Sequence, residues 1–306
     1  LKNNSWFANG KLLITGEYLV MEGAKALAVP LKLGQRLTVK NIDENQLIWE
    51  AKSPIGLWFK TILKLPTLEV LETNNQIFSN RLVLLLKNAK ELSKHFLNNI
   101  NGVSVETELG FNPEFGFGSS STLVFCVSKW ANVNPYLLQQ KTFGGSGFDI
   151  ACADAKGPIT FQRIGEDIEI NNVELSPKIT NNLFLVYLGK KQQTSRSIKS
   201  FKKNAVFTNS DVDRITAITN EVVKAESIED FEALLTEHEQ LMSSILQIPT
   251  IKSNCFPQFV GCVKSLGAWG GDFVLISSRN SKQEISQQMK SLGFNIVFSY
   301  SELVLR

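Results

Sequence analysis

The segment Gly116-Phe117-Gly118-Ser119-Ser120-Ser121-Thr122 constrains this chain more than any other. Before it runs a stretch from Gly102 to Leu109 with Val103 and Val105 on one face. After it, Leu123, Val124, Val127, Trp130 and Ala131 recur at helical spacing from Ser119 to Ala131. A strand must therefore pass through glycines into a helix. Glycines let a backbone approach an anion closely, and a helix start presents amide N–H groups and a partial positive charge. The segment reads as a phosphate cradle or, taken alone, as a turn closed by serine caps. It is not a P-loop, because no Gly-Lys-Ser/Thr occurs. It is not a dinucleotide fingerprint, because Ser121 stands where the third glycine belongs. Neither His-Arg-Asp nor Asp-Phe-Gly occurs, which excludes a protein kinase.

Composition prunes other classes. The 306 residues are 43% hydrophobic and 20% charged, the balance of an ordinary globular protein. A net charge of +3, from 32 basic and 29 acidic residues, gives no clustered basic face, so no nucleic-acid partner is expected. Cys126, Cys152, Cys255 and Cys262 form no CxxC pair, which argues against zinc and suits a reducing compartment. No apolar run approaches the ~20 residues of a membrane span. The first residues carry no signal-peptide pattern, so the expected location is cytoplasmic, with no membrane partner. The two histidines, His95 and His238, sit in no motif and are expected at the surface.

The remaining pattern predicts a mixed chain. Strands are expected at Lys11 to Tyr18, Ala26 to Pro30, Leu31 to Val39, Leu47 to Ala51 and Leu57 to Lys64, then a helix from Asn80 to Leu97. The second half reads as strands at 159–163 and 182–188, helices at 211–225, 228–246 and 257–265, a strand at 272–277, a helix at 281–291 and a strand at 295–300. The polar stretch 165–180 supplies the domain boundary, giving domains 1–170 and 171–306.

Three further segments could carry chemistry. Asn9-Gly10-Lys11 opens an apolar strand that ends in Gly16-Glu17-Tyr18, so Lys11 is either a charge offered to a phosphate or a surface lysine. Gly144-Gly145-Ser146-Gly147-Phe148-Asp149 places one carboxylate at a helix start, where it could accept a proton from a hydroxyl or simply favour the helix. Lys264 to Asp272 contains Gly267, Gly270 and Gly271, either a close approach to a ligand or a tight turn.

Together and in this order, the segments resemble the GHMP kinases, and within them the phosphomevalonate and mevalonate kinases. Gly16-Glu17-Tyr18-Leu19-Val20, Ala26 to Pro30, Ser146-Gly147-Phe148-Asp149 and Gly270-Gly271-Asp272 carry the similarity, which spans about residues 6 to 277. The resemblance implies an α+β fold of two domains, the first like ribosomal protein S5 domain 2 and the second ferredoxin-like. It implies an ATP-dependent kinase using Mg²⁺ and acting on a small-molecule acceptor, as monomer or homodimer. Lys11 and Asp149 would be the catalytic pair. Gly116, Gly118, Ser119, Ser120, Ser121, Gly267, Gly270 and Gly271 would hold ATP. Ser120 and Glu17 would serve the metal. Tyr18, Ser146, Gly147, Ser195 and Arg196 would shape the acceptor pocket. The sequence departs from the family pattern at Asn9 and Trp269, and Tyr136 to Gln140 lacks the carboxylate that metal-binding relatives carry there. A catalytically weak or inactive nucleotide- or metabolite-binding protein is the alternative.

Overall fold

Alternating burial builds the first sheet. In the computed structural model, which describes residues 4–98, 101–190, 194–267, 269 and 271–306 (without the side chains of 194–196), Leu47, Trp49 and Ala51 are buried while Ile48 and Glu50 between them are not. Two units emerge. One holds Leu1–Gly10, Leu33–Pro113 and Phe117–Asp154; the other holds Lys11–Lys32, Glu114–Gly116 and Ala155–Arg306. Strands β1 (Asn4–Thr15) and β2 (Ala26–Asn41) each contribute residues to both.

The first unit adds β3 (Gln46–Ser53), β4 (Gly56–Lys64), β5 (Glu69–Thr73), α1 (Gln76–Leu92), β6 (Val103–Leu109), α2 (Ser119–Ala131), α3 (Pro135–Thr142) and α4 (Phe148–Asp154). Its strands lie in the order β5-β4-β3-β6-β2, with β1 beside β2. Trp49 pairs in register with Val105 of the parallel neighbour β6, and Val105 pairs with Val39 of β2. That apolar face packs on Leu82, Leu85, Leu86 and Ala89 of α1 and on Val124, Phe125 and Val127 of α2.

The second unit continues with β7 (Ile159–Ile164), β8 (Asp167–Asn172), α5 (Pro177–Thr180), β9 (Leu183–Tyr187), α6 (Thr194–Asn204), α7 (Asn209–Lys224), α8 (Ile228–Leu246), α9 (Ile251–Cys255), β10 (Val263–Ser265), β11 (Phe273–Ser277), α10 (Lys282–Ser291), β12 (Val297–Ser299) and α11 (Tyr300–Leu303). Here the early part of β2 pairs with β7, and β7 with β8. A separate antiparallel sheet has the order β10-β11-β9-β12. This strand order, with helical crossovers after β9 and β11, is the expected ferredoxin-like arrangement.

Several expectations shift. The predicted strands at 26–30 and 31–39 are one continuous β2. Helix α1 starts four residues earlier than expected, because the Asn75 side chain accepts the N–H groups of Ile77 and Phe78 at 3.1 Å, and it stops at Leu92. The predicted helix at 257–265 does not form. Phe256 and Phe259 are buried in the core and Lys264 takes a place in β10 opposite Leu275. The 165–180 stretch contains β8, whose mostly exposed, polar residues gave no strand signal.

Leu85 is fully buried between α1 and the first sheet. Leu85→Ala is expected to cost about 2–5 kcal/mol in urea unfolding. A loss below about 1 kcal/mol would mean that the α1 face is not part of this core.

Candidate active site

The start of α2 is set by packing before any ligand is considered. The Gly110 N–H bonds to the Gly34 carbonyl at 2.8 Å as β6 ends. The buried rings of Phe111 and Phe117 then meet edge to face, 5.5 Å apart, and fix both ends of the glycine segment. Gly118 occupies the N-cap at φ 90°, and no side chain caps the helix. Four consecutive hydroxyls follow, and helical rotation divides them. Ser121 Oγ donates back to the Gly118 carbonyl at 2.8 Å. Thr122 Oγ1 donates to Gln35 Oε1 of β2 at 2.7 Å, wholly buried. Ser119 is half-buried and Ser120 exposed. The first turn thus presents open amides and two outward hydroxyls, the requirement for an anion site.

A pocket in the same unit adjoins this turn. Ser119 and Ser120 line it together with five aromatic residues, Trp49, Trp58, Phe59, Phe78 and Phe143. Trp58 and Phe78 meet at 87° with ring centres 5.2 Å apart. The Arg81 guanidinium lies 4.9 Å from the centre of the Phe143 ring, as a cation stacks on an aromatic face. The Trp58 indole N–H has no partner among the described residues. Sequence reasoning missed this pocket. Its aromatics come from β3, β4, α1 and the end of α3, and no local spacing joins them.

Asp149 lies half-buried in the first turn of α4. The turn before it is closed by Ile150 and Ala151, whose N–H groups bond to the Gly147 carbonyl at 3.0 and 3.1 Å. Ser146 and Gly147 are buried. Gln139, ten residues before Asp149, is buried and donates its amide to the Gly144 carbonyl at 3.1 Å. It props the glycine run, and its Oε1 has no partner among the described residues.

In the second unit Lys11 lies half-buried on β1. Tyr18 adopts φ 61°, a strained conformation for a bulky residue, and stacks on Phe201 at 5.1 Å. Its hydroxyl accepts the Trp269 N–H at 3.2 Å. The Trp269 ring is buried with Leu19, Phe201 and Met242. Gly267 has φ 65° and Gly271 is buried. Asp272 packs closely against Gly116, where a Cβ would lie 2.3 Å from Asp272 Oδ2, and the φ of 68° at Gly116 favours glycine. Gly270 lies outside the described residues, as do the side chains of Ser195 and Arg196, which belong to α6.

Glu17 sits in an unexpected place. It is closed into the interior, 1% exposed, with its carboxylate paired to the ammonium of the fully buried Lys264. The cation beside this carboxylate is thus the Lys264 ammonium. Among the described residues no group of three or more histidine, cysteine, aspartate or glutamate side chains could hold a metal. His238, expected at the surface, is fully buried, and its Nε2 accepts the Gly16 N–H at 2.9 Å. Its apolar helical neighbours, Leu235, Met242 and Ile245, carried the signal. Burial, helped by the Lys264 charge, pushes the His238 pKa well below its ordinary value. Burial pushes the Glu17 carboxyl up to about 7 against the pull of Lys264. Burial would lower Lys264, but Glu17 and Glu239 more than reverse it.

No protein-family model matches the chain, and no curated protein does. Solved structures do match. The chain is similar to Methanococcus jannaschii mevalonate kinase, with 18% identity over 100% of this chain and 99% of that one and a TM-score of 0.74. It is similar to Streptococcus pneumoniae phosphomevalonate kinase in complex with phosphomevalonate and AMPPNP, with 16% identity, coverage of 96% and 99% and a TM-score of 0.72. It is also similar to a mevalonate diphosphate decarboxylase from Legionella pneumophila, with 13% identity, coverage of 97% and 100% and a TM-score of 0.59. At such identities the likeness establishes a fold, and it is the fold that the motif resemblance implied.

The buried His238 gives a pH signature. Neutral in the fold but protonated below 6.5 when unfolded, it lends stability above pH 6.5 that is lost as the pH falls. Glu17, raised to about 7, acts in the opposite sense between 4.5 and 7. The difference between wild type and His238→Gln isolates the histidine. Below pH 6.5 the variant should gain on wild type in urea unfolding by up to about 1.4 kcal/mol per pH unit. A difference that stays constant from pH 7.5 to 5 would refute a buried neutral His238.

Proposed function

We propose that the chain is an ATP-dependent kinase that transfers the γ-phosphoryl group to a hydroxyl or phosphate of a small metabolite, with mevalonate and phosphomevalonate as leading acceptors. One observation carries this reading: an aromatic pocket opens directly onto the uncapped first turn of α2. A nucleotide needs those two surfaces side by side, one for a planar base and one for its phosphates. The similar fold of a phosphomevalonate kinase in complex with phosphomevalonate and AMPPNP supports the assignment.

In this reading the base stacks among Trp58, Phe78 and Phe143. The α2 amides and the Ser119 and Ser120 hydroxyls take the phosphates, and Ser121 contributes through its backbone. Gly116 and Gly118 let the chain come close, and Gly267, Gly270 and Gly271 remain proposed nucleotide contacts. The donors fit Mg²⁺ through Ser120 and the nucleotide's own phosphates, since a hard, small ion keeps few protein ligands. Glu17 does not fit as a ligand, because Lys264 stands against it. When bound, Mg²⁺ neutralises phosphate charge. Lys11 adds positive charge to the transferred group, and Asp149 accepts the proton of the attacking hydroxyl. Tyr18, Ser146, Gly147, Ser195 and Arg196 remain the proposed acceptor contacts.

A second reading is a nucleotide-binding protein without transfer activity. The amide of Gln139, where metal-binding relatives have a carboxylate, favours it. Incubation with ATP, Mg²⁺ and a panel of small alcohols and phosphomonoesters, scored by ADP release and product mass, separates the two. ATP binding with no product from any acceptor would leave the second reading. A product that has lost carbon dioxide would instead align the chain with the decarboxylase of similar fold.

Within the kinase reading, Asp149→Asn should lower kcat by about 10²–10⁴-fold while ATP still binds. Equal turnover in variant and wild type would remove Asp149 from the mechanism. Trp58→Ala should raise the Kd for ATP by roughly tenfold, read by calorimetry, through the lost stacking surface. Unchanged affinity would move the base elsewhere.

A further inference from the structure

The pocket beside α2 contains a cation with no partner of its own. Of the residues that line it, Arg81 alone is charged. Phe78, Arg81 and Leu82 stand three and four residues apart on α1, so one face of that helix presents all three to the pocket. Leu82 is buried in the core and Phe78 packs against Trp58, whereas Arg81 stays exposed. Its guanidinium lies over the Phe143 ring, 4.9 Å from the centre, and has no hydrogen bond or ion pair among the described residues. All of these residues belong to the first unit.

The neighbouring strands offer Arg81 no carboxylate. Ala51 of β3 and Thr107 of β6 line the pocket, so Glu50 and Glu106 beside them fall on the opposite face of the sheet. Both are paired there, Glu50 with Lys60 at 3.0 Å and Glu106 with Lys52. Arg214 and Arg279, by contrast, each hold two glutamates. Fold stability does not explain an unpaired guanidinium at this place, since a cation over a ring at an exposed site adds little. Stacking does fix the plane of the group while leaving its N–H edge open. That edge matches two oxygens of a phosphate at once.

The charge balance of the pocket points the same way. The open start of α2 supplies only about half a unit of positive charge, and the Ser119 and Ser120 hydroxyls supply none. The phosphates of a nucleotide carry several negative charges. Arg81 is the only full positive charge that the pocket's own lining adds. It lies against Phe143, one of the rings assigned to the base, and so stands at the base end of the site.

We propose that Arg81 is a binding residue for the first phosphate of the nucleotide, the one attached to the ribose, and that through it the pocket selects nucleotides over nucleosides. The proposal rests on the nucleotide reading given above and is independent of the transfer step.

The test compares wild type with Arg81→Gln and Arg81→Lys. The Kd values for ATP, AMP and adenosine are read by calorimetry, the weaker ligands by displacement of ATP. Glutamine removes the charge at an exposed helix position and is nearly as good a helix former, so the thermal midpoint should hold. Arg81→Gln should weaken ATP and AMP by about the same factor, roughly tenfold to a hundredfold, and leave adenosine unchanged. Arg81→Lys keeps the charge without the planar fork and should recover only part of the loss. Unchanged ATP and AMP affinity overturns the proposal. So does an equal loss for adenosine, which would make Arg81 a stacking partner of the base. A loss confined to ATP overturns it too, since the arginine would then meet a distal phosphate. Wild type that binds AMP no better than adenosine, or a glutamine variant that melts well below wild type, likewise overturns it. Wild type that binds no ATP overturns the nucleotide reading as well.

Discussion

A helix that begins at a glycine with no capping side chain leaves its first amides to find partners elsewhere, and the first unit is built around the place where that happens. Helix α2 is held from below by Val124, Phe125 and Val127 against the sheet. It is held at its start by Thr122, whose hydroxyl is fixed to Gln35 of β2. These contacts leave the helix no freedom to slide or rotate. Its open end therefore faces one direction, and the aromatic pocket lies beside it. Moving the Thr122–Gln35 bond would aim the two outward serines differently, whatever the rest of the site did.

The glycine segments were legible because each occupies a short stretch of chain and each has a local physical reason. The strand, turn and helix around Gly116 to Thr122 follow from spacing that a reader can count. What was not legible depends on distance along the chain. Trp58 and Phe78 come together because β4 and α1 pack on one another, and neither residue announces a partner twenty positions away. His238 looked exposed because Glu237 and Glu239 flank it, yet Glu239 is itself buried and answers Lys264 and Ser265. A polar residue on the inner face of a helix reads as surface until its opposite charge is found. The β8 strand failed for the complementary reason: its polar side chains face solvent, so only its pairing with β7 reveals it.

The two units handle polar groups differently. In the first, the inner hydroxyls of α2, Ser121 and Thr122, are held by neutral hydrogen bonds, with the charged Arg81 resting on an aromatic ring. In the second, full charges are taken into the interior and balanced there. Neutral bonds tolerate small displacements. A buried carboxylate facing an ammonium does not, because the energy changes steeply with separation when little water screens it. The Gly16–Tyr18 turn is thus held by the Gly16 bond to His238 and the Glu17 pairing with Lys264, and Tyr18 adopts a strained backbone there.

The pocket beside α2 also has an optical consequence. Trp49 and Trp58, two of the chain's five tryptophans, line it, and Trp58 is packed edge to face with Phe78 and carries an indole N–H that no described residue engages. An indole in that state emits according to what lies against its ring and what accepts its hydrogen. Occupation of the pocket by a planar, electron-rich molecule would alter what lies against the ring. The protein therefore carries its own reporter of occupancy, placed by the same packing that makes the pocket.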